Sequence, residues 1–140
     1  MNPREKQTIW LAPLVPDGNS RVQFRGDHVH VELGMGYKVD KQKRDEFWEL
    51  IKIACKQHNS CRVLVEGYVP VGERGTADVI DAGRKTAVVP KLWLAFCLKG
   101  YKPTGQSEIF EAIAASQGVR VKFFPNTKLA LKWLRNNAPS

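Results

Sequence analysis

The order of apolar segments constrains this chain more than any other feature. Two short alternating segments come first, and helix, strand, helix, strand, helix, strand and helix then follow, with Gly, Pro or Asn at nearly every junction. That succession predicts a single α/β domain with a five-stranded mixed sheet, in the order β-β-α-β-α-β-α-β-α. The first two strands must pair antiparallel, and each later strand-helix-strand link is long enough for a right-handed parallel crossover. With 140 residues the chain has the size of one domain, and domains of about 150 residues bury roughly 68 to 70% of their unfolded surface. No disulfide or metal is required to hold such a core.

Residues 1–20 contain Pro3, Pro13, Pro16 and Gly18 and read as an extended arm. Its apolar side chains, Ile9, Trp10, Leu11, Leu14 and Val15, are expected to dock on the domain or on a second copy, which allows a homodimer through the arm. The domain itself is expected over residues 21–136, with a short tail at 137–140. Residues 21–25 (RVQFR) and 28–33 (HVHVEL) alternate polar and apolar around Gly26-Asp27, a hairpin signal. Asp40 is placed to cap a helix whose apolar positions are Phe47, Leu50, Ile51 and Ala54 and which ends near Asn59. Strands are expected at 61–67 (CRVLVEG), 92–98 (LWLAFCL) and 119–124 (VRVKFF), with helices at 76–86, 107–117 and after Asn126. In the last helix Leu129, Ala130, Trp133 and Leu134 are expected to point inward.

Alternation along the strands sorts the side chains into two faces. Val22, Phe24, Val29, Val31, Val63, Val65, Val119 and Val121 fall on one side. Arg25, His28, His30, Arg62, Arg120 and Lys122 fall on the other, together with Arg21, Gln23, Glu32 and Glu66. A sheet covered on both faces has continuously apolar strands, so this pattern predicts helices mainly on one face and a polar, net basic contact face opposite. Leu64 and one side of residues 92–98 are apolar exceptions, with residues 9–11 as a candidate cover.

The formal net charge of +8 invites a polyanion as partner, because a positive field concentrates one. The cations are spread along the chain, however, and the densest group, Lys41, Lys43 and Arg44, runs directly into Asp45 and Glu46 as a solvated helix face would. The outward set offers only Trp93 and Phe124 for base stacking, so nucleic acid would be held through its phosphates. Cys55, Cys61 and Cys97 form no CxxC pair and fit reduced thiols of a cytoplasmic protein. No apolar run approaches the roughly 20 residues that span a bilayer.

Motifs that carry chemistry are sparse. Residues 67–72 have GxxxxG spacing, but Glu73-Arg74 stands where a phosphate loop needs Lys and Ser or Thr. His28, His30 and Glu32 share a strand face, yet residues two apart on a strand lie about 6.5 to 7 Å apart, so at most two reach one ion. His58 closes a helix, where a cation would complement the dipole. No nucleophile, base and orienting group occur together. Neither catalytic residues nor a metal site nor a cofactor is expected.

The order of elements, with residues 119–125 (VRVKFFP) followed by 129–134 (LALKWL), resembles the STAS-like proteins, in particular the STAS/SEC14 branch related to the sporulation anti-sigma-factor antagonist. The likeness covers about residues 20–136. It implies a non-enzymatic domain that binds a regulatory protein partner or a small ligand. In phospho-regulated members a Ser or Thr at the start of the second helix, within an Asp-Ser-Ser-Gly-like sequence, is the switch. Here residues 73–78 read ERGTAD and the Asp-Ser-Ser-Gly sequence is absent, so only Thr76 can take that role, with Arg74 and Gly75 completing an anion or phospho-switch site; an ordinary N-cap is the favoured reading of Thr76. The functional expectation is a binding domain for a protein partner or a small amphipathic or anionic ligand, against the alternative of nonspecific nucleic-acid or anionic-surface binding.

Overall fold

The computed structural model describes residues 20–36, 38–69, 71–72, 75–101 and 105–139. The extended arm, its docking and Arg74 lie outside the described residues. The main sheet is built from β1 (Ser20–Phe24), β2 (Val29–Leu33), β4 (Arg62–Tyr68), β6 (Trp93–Lys99) and β7 (Arg120–Phe123), side by side in that order. β1 runs antiparallel to β2, and the other neighbours are parallel. Four helices alternate with them: α1 (Lys41–His58), α2 (Thr76–Lys85), α3 (Gly105–Ser116) and α4 (Thr127–Asn137). The expected α/β architecture is the observed one.

A short second pair, β3 (Lys38–Val39) with β5 (Val71–Gly72), carries no signal in the sequence. Two residues per strand are too few to show a period.

Local chemistry sets the helix ends. Asp40 accepts from the Lys43 amide at 2.8 Å, and Asn59 closes α1 in the left-handed conformation. Asn126 caps α4 by accepting from the Leu129 amide at 2.9 Å. At α2 the expectation of Thr76 as N-cap is corrected. Gly75 is the cap residue and its amide donates to the Asp78 carboxylate at 3.0 Å, which leaves Thr76 as the first helical residue, its side chain exposed.

Each parallel crossover steps one strand in the same direction, so right-handed connections place α1, α2 and α3 on one face. There Val22, Val29, Val31, Val63, Val65, Leu94 and Val119 meet Phe47, Trp48, Ile51, Phe110 and Ala114 in the principal core. Arg44 belongs to this side and not to a solvated face. It is buried and joins α1 to α2 through Asp78 at 3.2 Å and Asp81 at 3.1 Å. Gly83 lets α2 and α3 approach closely, since a Cβ there would lie 2.8 Å from Ile113.

Among the described helices, α4 is the one that returns across the opposite face. Ala130 and Leu134 cover Leu64 and Ala95, while Trp133 packs between Trp93 and Phe124 at ring separations of 5.2 and 5.4 Å. The apolar exceptions on that face therefore belong under α4, and Leu129, expected inward, is instead an exposed residue of that helix.

Among the described residues no helix is long and apolar enough to cross a membrane.

Candidate ligand-binding cleft

The polar face drawn from strand alternation divides in two. Arg25, Arg120 and Lys122 are exposed, as expected, but His28, His30 and Arg62 are buried. Alternation gives the correct side of the sheet and the wrong environment, because α4 and the residues after it come back over the ends of β2 and β4. Arg62 donates to the Ala138 carbonyl at 2.9 Å and the Arg135 carbonyl at 3.4 Å, satisfying acceptors that the end of α4 leaves open.

Asp27, in the turn between β1 and β2, ties this corner together. It accepts from Arg135 Nε at 2.7 Å, lies 2.6 Å from His28 Nδ1 and stands 3.9 Å from Arg62 Nη1. Burial alone would raise its pKa, but the hydrogen bonds from Arg135 and His28 outweigh that and hold it at about 2. Desolvation lowers His28 as well, against the opposing pull of Asp27. His30 is driven down to about 3 by desolvation and then by Arg25 and His28, so it stays neutral beside Glu66 at 3.4 Å. Glu66 also accepts from the Thr127 hydroxyl at 2.7 Å. These contacts fasten α4 to the sheet. Among the described residues no group of three or more His, Cys, Asp or Glu side chains could hold a metal.

Two other features of the sequence have local explanations. Gly67 of the GxxxxG segment has φ +111, and a Cβ there would fall 2.0 Å from the Leu33 carbonyl oxygen of β2, so strand packing demands a glycine. His58 stacks on Phe24 at 4.2 Å, and desolvation lowers its pKa, which works against a role as a charged helix terminator.

The corner fastened by Arg62 borders an open cleft of about 580 Å³ at the amino ends of the parallel strands. Three separate segments build it. Lys52, Cys55 and Lys56 come from the last turns of α1, Asn59 to Cys61 lead into β4, and Val88 to Lys91 lead into β6. Pro139 closes one side, its carbonyl accepting the Cys61 thiol at 3.8 Å. Cys55 and Val89 are buried and make the floor apolar. Burial pushes the Cys55 thiol up to about 12, and Cys61, half-buried, is the more accessible sulfur of the cleft.

Its charges are all of one sign. Lys52 and Lys56 stand four residues apart on one helical face, Lys91 joins the lining from another element, and no carboxylate side chain among the described residues lines the cleft. None of the three ammonium groups has an ion-pair partner among the described residues. A volume within the usual 300 to 1,000 Å³ of small-molecule sites, an apolar floor and a cationic rim suit a molecule with an apolar body and an anionic head. A second hollow of about 440 Å³ beside β7 mixes Glu108 and Glu111 with Arg120 and Lys122 and shows no such selectivity.

The cleft is not legible in the sequence, where its residues are scattered over about 90 positions and the three lysines look like any others. The one available signal is Lys91, a long side chain directly after Pro90 in a turn where glycine is usual. Comparison with protein-family profiles, with curated proteins and with solved structures finds no match to this chain.

Proposed function

We propose that this chain is a non-enzymatic, STAS-like binding domain whose ligand is a small amphipathic anion held in the cleft between α1, the start of β4 and the turn before β6. The observation that supports this reading is the three-lysine rim over an apolar floor, with no acidic residue of the described chain in the lining. An anionic head placed between ammonium groups gains charge-assisted contacts, and an apolar tail on Cys55, Val88 and Val89 gains roughly 25 cal/mol for each Å² removed from water. Regulation then consists of occupancy, with the ligand presented to or withheld from a protein partner.

The test is a titration with dodecyl phosphate, dodecanoate and dodecanol, each below its micelle concentration. Both anions should bind at least about tenfold more tightly than the alcohol, the effect of one charge-assisted contact. They should also shield Cys61 from a thiol reagent while leaving Cys97, which packs beside α4 on the other face, as reactive as before. Equal affinity for the alcohol, or unchanged Cys61 labelling at saturation, refutes the assignment.

A second reading has its own support. Arg120, Lys122, Lys128 and Lys132 are carried on β7 and α4, beside the half-buried Phe124 and Trp133. Such a surface would bind nucleic acid through phosphates, with retention on duplex DNA lost by moderate salt and no base preference. Absence of retention at low salt eliminates it.

A further inference from the structure

Within the cleft just proposed, the three lysines do not have equal explanations. Lys56 belongs to the last turn of α1, where a cation complements the helix dipole whether or not anything binds, and Lys52 sits one turn earlier on the same helix. Lys91 belongs to no helix. It adopts φ +57, in the left-handed region. Among the described residues only one other non-glycine residue does so, Asn59 with φ 49, which closes α1 in the manner common at helix ends.

Lys91 has no comparable local reason to be lysine. Its side chain is exposed, it makes no ion pair among the described residues, and glycine would adopt the same turn without steric strain. It nevertheless lines the cleft, which it enters from the turn before β6 and not from α1. A residue kept in a disfavoured conformation that the surrounding fold does not need points to a role in binding.

We infer that Lys91 is the residue that determines the cleft's preference for an anionic head, and that the three lysines lining the cleft together select a dianionic phosphate monoester over a monoanionic carboxylate. This inference rests on the cleft being the binding site. A carboxylate satisfies the two lysines of α1, whereas the second negative charge of a phosphate monoester gives Lys91 its partner.

The decisive measurements are the urea midpoint and the dodecyl phosphate and dodecanoate affinities of the wild type, Lys91→Gly and Lys91→Met. Lys91→Gly should raise the urea midpoint, because the strain is removed, and weaken dodecyl phosphate binding about tenfold. Lys91→Met keeps the apolar stem and the strained backbone, so it should lose the same affinity with no rise in midpoint. Dodecanoate should be affected less by either change.

Each result has a defined meaning. A Lys91→Gly protein that is more stable but binds dodecyl phosphate as tightly as the wild type overturns the role of Lys91 and leaves the cleft in place. One that is no more stable refutes the argument from strain. Wild-type protein that binds neither anion overturns the cleft and this inference together.

Discussion

Replacing Gly67 by alanine places two separable costs on one residue. The backbone at φ +111 is unfavourable for any residue with a Cβ, by about 1 to 2 kcal/mol. The added carbon would also lie 2.0 Å from the Leu33 carbonyl oxygen, inside the distance that real Cβ contacts show, and that oxygen belongs to the neighbouring strand in register with Gly67. Backbone cannot rotate away as a side chain does, so the end of the β2–β4 pairing must shift, at a further cost of about 1 to 3 kcal/mol by analogy with overpacking. The expected loss is about 2 to 5 kcal/mol, a large part of an ordinary domain's stability. Gly118→Ala is the internal control, because Gly118 has φ +81 and a Cβ added there would meet nothing within 4 Å, so only the first cost applies. Both variants gain equally from a stiffer unfolded chain, so the difference between them isolates the contact. Urea unfolding followed by tryptophan fluorescence measures both midpoints, and equal slopes confirm that the unfolded reference is shared. Losses within about 1 kcal/mol of each other would refute the steric argument and reopen another reason for a glycine in this segment.

Gly83→Ala should destabilise the protein although alanine is the better helix former by about 1 kcal/mol, because its Cβ meets Ile113 at 2.8 Å; adding Ile113→Ala should restore most of the loss in a thermal melt. Acid should weaken the fold in two stages. The folded pKa of His30, about 3, lies below its unfolded value of 6.5, so the unfolded chain takes up the proton first and stability falls as pH drops from 6.5 towards 3. Asp27, held at about 2, adds stability that is present above its unfolded pKa near 3.8 and lost between that value and 2, worth about 1 kcal/mol once solvent screening of this partly exposed carboxylate is allowed for. His30→Gln should flatten the decline of the urea midpoint between pH 6.5 and about 4, and an unchanged slope would show that His30 does not titrate on unfolding.

How much of this structure can be read from the chain depends on whether the signal is local. Asp40, Asn59 and Gly118 mark helix ends by their own chemistry, and the valines of β1, β2 and β4 mark the core by alternation, so the element order and the strand directions follow from the chain alone. His28, His30 and Arg62 fall on the correct face, but their burial depends on where α4 travels after β7, and no neighbouring residue encodes that path. The Asp27 contacts show the difficulty, because the aspartate meets Arg135 across 108 positions of sequence. The cleft is hidden for the same reason, since α1, the turn before β6 and Pro139 meet only in the folded state. Arg44 reads as a solvated residue because its partners, Asp78 and Asp81, lie one helix further on.

The covering of Leu64 and Ala95 by the last helix of the described chain also affects synthesis. Until α4 emerges and docks, β4 and β6 can pair while Leu64 and Ala95 lack the cover that this helix gives them. The nascent domain thus passes through an interval with a greasy strip facing water or a chaperone. Slowing translation just ahead of Thr127 should prolong that interval and increase aggregation, whereas slowing it within α1 should not.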